Sequence, residues 1–306
     1  MAHNAQGAGG RYTGGTMNTL IQKLVAEGIV VTDGSWGTQL QQRGLARGEC
    51  PDSWNLSNPE KVGEVARLYV EAGSRVILTN TFGANAVVLG KFGIADKAAA
   101  INRAGVEISK HAAGDRAYVF ASMGPCGKML VSGDITPDAL REVFTDQSRA
   151  LAAAGADGIV VETMMDVEEA RIAVEAAKAT GLPVVASMVF DSGKQKDRTM
   201  MGNTPEQAVT ALTAAGADVI GANCGQGIEG FIPICTRMRA ATGVPLWMKP
   251  NAGLPELVDG QVVYRTTPSE FAKFVPELIR AGAGFLGGCC GTSREFVEAI
   301  RRTVSV

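Results

Sequence analysis

Charge of one sign, aromatic rings and long apolar runs are all scarce in this chain of 306 residues. Its 29 basic and 31 acidic side chains leave a net charge of −2, too weak a field to make nucleic acid or an anionic membrane the main partner. No stretch reaches the roughly 18 unbroken apolar residues of a membrane span. Six cysteines are sparse for such a length, which argues against a disulfide scaffold and for a reducing cytoplasm. Neither a Gly-rich dinucleotide fingerprint nor a P-loop follows the first apolar run, so nucleotide chemistry lacks its usual anchor. Glycine is plentiful, at 38 residues, and 46% of the chain is hydrophobic, a mix that suits an α/β enzyme with many tight turns.

The first 17 residues, MAHNAQGAGGRYTGGTM, lack the apolar core of a secretory signal. They read as a flexible leader, with residues 18–306 forming one domain. Within that domain eight short β-branched or apolar runs recur: 29–33, 75–80, 118–123, 158–163, 183–190, 218–224, 245–250 and 283–289. Apolar character without strict alternation marks strands buried on both faces, as in parallel sheets. Helical patterns separate the runs. Several open on Thr-Pro, at Thr136, Thr204 and Thr267, an N-cap followed by proline at the first helical position, and close on glycine. Eight β/α units without a linker predict a single-domain (β/α)8 TIM barrel.

Chemistry in such barrels gathers at the C-terminal ends of the strands. There the sequence places Asp33-Gly34-Ser35, Glu162-Thr163, Asn223-Cys224-Gly225, Lys249-Pro250-Asn251 and Gly288-Cys289-Cys290-Gly291. A lone cysteine at a strand end ordinarily serves as a small buried hydrophobe. An adjacent pair flanked by glycines packs poorly as core, and soft thiolates brought together at a rim suit zinc. Cys224, Cys289 and Cys290 would supply three ligands and leave a fourth position open, as in catalytic zinc sites. Cys235 falls on an apolar helix stripe and reads as core, Cys50 as a bystander in a long first loop, and Cys126 as a pocket-lining residue.

The segments DGSWGTQL, LTNTFGAN, SMGPCGKML, ETMMDVEEA, DRTMMGNTPE, GANCGQG, MKPNAGLP and GGCCGTS follow one another from about residue 29 to 305. In this order they resemble the homocysteine S-methyltransferase family, closest to the homocysteine-binding module of cobalamin-dependent methionine synthase. The resemblance implies a TIM barrel in which Cys224, Cys289 and Cys290 bind Zn2+ and the zinc activates the thiol of homocysteine. It further implies that Asp33 and Glu162 hold the substrate ammonium and that backbone N–H groups of Gly34 and Ser35 meet the carboxylate. Asn251 matches an asparagine that fills the fourth zinc position before substrate arrives.

The expected product is methionine. TNTFGAN, GPCGKM, DRTMMGN and KPNAG look more like the methionine-synthase module than the betaine or S-methylmethionine branches, so the expected methyl donor is a methylated corrinoid. With the chain ending at Val306, directly after the last helical pattern, it is expected on a separate protein. That protein would dock over Trp36, Phe82 and the 191–203 segment. The alternatives are betaine or S-methylmethionine as donor, another thiol as acceptor, or a zinc-binding barrel without turnover.

Overall fold

The computed structural model describes residues 17–258 and 261–305; the leader expected at 1–17 lies outside these residues except for Met17. Among the described residues there are ten strands: β1 (Val30–Val31), β2 (Val76–Ile77), β3 (Tyr118–Met123), β4 (Gly158–Met164), β5 (Val184–Met188), β6 (Val219–Gly227), β7 (Leu246–Asn251), β8 (Glu256–Val258), β9 (Gln261–Val263) and β10 (Ala283–Leu286). Eight of them form one parallel sheet in the order β1-β10-β7-β6-β5-β4-β3-β2. A parallel bridge between Thr32 and Val76 joins its two ends, with Arg75 N donating to the Val31 carbonyl at 2.7 Å. The barrel is therefore closed, and each expected strand falls on its run.

The helices form where local signals agree with burial. Thr136, Thr204 and Thr267 each accept a backbone N–H with their side chain, and Pro137, Pro205 and Pro268 follow. The latter two helices also carry complete capping boxes, worth roughly 1 kcal/mol each over an uncapped start. The last helix, Arg294–Val304, turns Phe296, Val297, Ala299 and Ile300 inward and its arginines outward.

Alternate strand residues divide the core in two. Val30, Leu78, Phe120, Val160, Val185, Val219, Trp247 and Phe285 fill the barrel, joined by Ile21 and Leu24 of a helix at Thr19–Ala26 that precedes β1. The intervening residues pack outward against the helices. With the interior filled by side chains, only the rim offers room for a ligand.

Two features were absent from the sequence expectation. The first loop holds helical turns at Trp36–Gln42 and Trp54–Ser57, and β8 and β9 form an antiparallel hairpin between β7 and the next helix. Asp259-Gly260 between two short apolar runs was the available hairpin signal. Cys50 is not a loop bystander in packing terms, since it is buried with Ala84, Leu89 and Ile101.

Candidate metal centre and thiol site

Cys224, Cys289 and Cys290 converge at the C-terminal rim, their sulfurs all within 4.8 Å of one another. The Cys224 and Cys290 sulfurs are 3.7 Å apart, and all six cysteines are free thiols. Two sulfurs at about 2.3 Å from a tetrahedral ion would lie about 3.8 Å apart, so the donor set and its spacing fit zinc. Contact with Cys224, reinforced by burial and the Glu162 carboxylate, pushes the Cys289 thiol up to about 12 against a pull down from Cys290. Ionising three sulfurs this close together is unfavourable without a cation, and a bound dication would supply the balancing charge.

Each cysteine is held by local backbone geometry. The register of β6 with β7 breaks between Asn223 and Gly227, and in that break Cys224 adopts φ +63°. Such a bulge re-aims a side chain at a strand end. The Cys289-Cys290 turn is tied to β7, with Cys289 N donating to the Pro250 carbonyl at 2.8 Å and Cys290 N to Asn251 Oδ1 at 3.0 Å. Gly287 is required there, because a Cβ would lie 2.0 Å from Thr32 Oγ1. Gly291, at φ +79°, lies under the Tyr264 ring.

Beside the sulfurs lies a buried charge cluster. Asp33 accepts from Trp36 Nε1 and Leu78 N, each at 2.7 Å, and from Lys249 Nζ. Three of the roughly four acceptor sites of a carboxylate are thus used. Glu162 accepts from Ser122 Oγ at 2.5 Å. Burial raises its carboxyl above the usual range, while the Lys249 ammonium and Ser122 pull it back. Burial also opposes the charge of Lys249, but Asp33 and Glu162 more than offset this and hold its ammonium above the lysine range. The sequence reading assigned no role to Lys249; a lone cation within PLWMKP, an otherwise apolar strand, was the visible signal.

The other expected residues are placed as follows. Gly34 lies under Tyr69, whose hydroxyl donates to the Ser35 carbonyl at 2.8 Å. The Ser35 N–H is turned to the Thr292 carbonyl at 3.4 Å and its hydroxyl caps the Trp36 helix. Asn251 is buried beside the cysteine turn. Cys235 is core, as expected, and Cys126 is fully buried with its N–H on Glu169. Between the ends of β6 and β7, next to Cys224, a cavity of about 550 Å³ is lined by Asp191, Lys196, Gln226, Glu229, Leu254 and Pro255.

The sequence pattern of homocysteine S-methyltransferase matches residues 30–304. The chain belongs to the homocysteine S-methyltransferase family. The enzyme class expected from the sequence, a homocysteine S-methyltransferase, agrees with this membership. Methionine synthases of Mycobacterium tuberculosis and Mycobacterium leprae are each 28% identical to it over 307 residues, 94% of this chain. The chain spans about a quarter of the length of these relatives. The metallated form of the homocysteine methyltransferase MmuM from Escherichia coli superposes with TM-score 0.79 at 22% identity, over 93% of this chain and 99% of that one. Its oxidised form gives TM-score 0.77 at the same identity, over 92% of this chain and 99% of that one. At that identity the likeness confirms the barrel fold.

Proposed function

We propose that this family member transfers a methyl group to the thiol of homocysteine, giving methionine, with zinc held by Cys224, Cys289 and Cys290. The observation that carries the reading is the convergence of the three sulfurs at a rim where the barrel core ends. A free alkyl thiol at neutral pH is only a few per cent thiolate, and bound zinc would hold the substrate sulfur deprotonated. Three anionic ligands rather than neutral imidazoles keep that sulfur electron-rich toward a methyl donor. Six free thiols also suit a reducing cytoplasm, and among the described residues no helix is long and apolar enough to cross a membrane.

The chain's own groups would orient the substrate. Glu162 and the remaining acceptor capacity of Asp33 receive the ammonium, while Lys249 pairs with Asp33 and pulls the Glu162 carboxyl back against the burial that raises it. Of the two backbone N–H groups expected to meet the carboxylate, that of Ser35 is already given to the Thr292 carbonyl, which leaves the N–H of Gly34 for this role. Asn251, whose Oδ1 accepts from Cys290 N and keeps a second lone pair, stands at the cysteine turn as the side chain that would serve as a further ligand to the metal in the absence of substrate.

For the donor we propose a methylated corrinoid carried by a separate protein. Support comes from the exposed apolar side chains on the rim loops, among them Phe82, Met129, Met200, Met201, Leu254 and Leu257, since apolar patches of this kind mark docking surfaces. Trp36 contributes less than expected, being half-buried with its indole N–H on Asp33. The cavity beside Cys224 favours a second reading, a small donor such as betaine or S-methylmethionine. Zinc-loaded protein mixed with homocysteine and each donor in turn decides between them through methionine formation. Turnover with a small donor and none with the corrinoid would overturn the first reading. Retention of full zinc and activity by Cys224→Ser would overturn the metal assignment.

A further inference from the structure

Among the described residues, three that are not glycine have positive φ, and two of them, Thr163 at +60° and Cys224 at +63°, stand at this site. Each lies in a break of strand register: Thr163 between Val161 and Met164 in β4, Cys224 between Asn223 and Gly227 in β6. Backbone in that region costs on the order of 1–3 kcal/mol per residue and persists only where the surroundings hold it. One side chain links the two breaks. The fully buried Asn223 accepts at Oδ1 from Thr163 N at 2.9 Å and Ser187 Oγ at 2.7 Å, and donates from Nδ2 to Thr163 Oγ1 at 2.7 Å. Its remaining N–H points to Cys289 Sγ at 3.8 Å.

All four hydrogen-bonding positions of the amide are therefore occupied, across β4, β5, β6 and the turn after β10. The bonds to Thr163 and Ser187 fix the amide's orientation, so the N–H aimed at sulfur cannot rotate away without breaking three shorter bonds. A thiolate accepting an N–H is stabilised against protonation and loses some of its negative charge to the donor. A donor aimed at a ligand sulfur also sets its direction toward the metal.

We propose that Asn223 is the positioning residue of the three-sulfur centre: its amide staples the strained backbone at Thr163 and Cys224 and presents a fixed N–H to the Cys289 sulfur. This rests on the zinc reading above and names a residue through which that site is shaped. Asn223→Asp keeps the size and an acceptor toward Thr163 N and Ser187, but replaces the donor with a carboxylate oxygen facing sulfur.

The test is metal binding without any methyl donor, using zinc with a competing chelator and cobalt(II) with its sulfur-to-metal charge-transfer band. Wild type serves as the reference, and its failure to take up either metal would sink the zinc reading itself. The expected result for Asn223→Asp is a 10- to 100-fold loss of zinc affinity and a shifted charge-transfer band, with far-UV circular dichroism unchanged. Ser187→Ala, which loosens the amide without altering the donor, should fall between Asn223→Asp and wild type in both readouts. A folded Asn223→Asp protein with wild-type affinity and an unshifted band would overturn the proposal. Should Asn223→Asp fail to fold, an unshifted band and wild-type affinity in Ser187→Ala would do the same.

Discussion

Replacing Lys249 with Met is the sharpest probe of the charge cluster under the site. The side chain is 3% exposed and Asp33 is not exposed at all, so the ion pair between them is screened by protein alone. Met has nearly the volume of the lysine stem and leaves little cavity. What it removes is the cation, stranding Asp33 at full burial and Glu162 beside it. Breaking a buried pair from one side costs about 3–5 kcal/mol, because the partner charge stays behind without compensation. Loss of the ammonium 5.8 Å over the Trp247 ring adds a smaller amount. Against a typical total of about 5–15 kcal/mol this is a large fraction of the stability. Urea unfolding followed by tryptophan fluorescence measures it as a fall in midpoint at constant slope. The double variant Lys249→Met with Asp33→Asn removes the stranded charge, and should recover a substantial part of the loss. A single-variant loss under about 1 kcal/mol, or a double variant no more stable than the single, would refute the argument that the pair is held by desolvation.

Three further outcomes follow from the geometry. Glu162→Gln weakens a charge-assisted contact to the substrate ammonium by about 1.5–3 kcal/mol, so KM for homocysteine should rise roughly 10- to 150-fold with zinc retained; unchanged KM would remove the role. Burial pushes Asp52 up from 3.8 to about 6, so the native state binds this proton more tightly than the unfolded chain. Its contribution is most favourable below about pH 4, falls as pH rises to about 6 and is flat above, a span of about 3 kcal/mol. Asp52→Asn keeps an acceptor for Gly83 N and loses the titration, so its stability relative to wild type should increase between pH 4 and 7.5; an equal difference at both would contradict this. A Cβ on Gly221 would lie 1.8 Å from the Trp247 carbonyl oxygen, backbone that cannot yield without parting β6 from β7. Gly221→Ala should therefore lower stability by about 3 kcal/mol or more, while Gly37→Ala, with nothing within 4 Å, should be neutral or better; similar melting temperatures for the two would refute the packing argument.

The sequence by itself determined the barrel and the identity of its metal-type cluster, because both rest on local signals. Eight apolar runs, the Thr-Pro helix starts and the GANCG and GGCCG ends are each legible within about ten residues, and barrel closure then brings neighbouring rims together without further information. It placed Asp33 and Glu162 at strand ends but left their partners unread. Only the tertiary structure set Lys249 between the two carboxylates, since that ion pair joins positions 216 residues apart. Only it put strain at Thr163 and Cys224, because positive φ at a threonine or cysteine has no sequence signal and is imposed by register breaks between strands. Asn223 shows the same division: its place before Cys224 is local, whereas its four hydrogen bonds to Thr163, Ser187 and Cys289, on β4, β5 and the turn after β10, exist only once the barrel has closed.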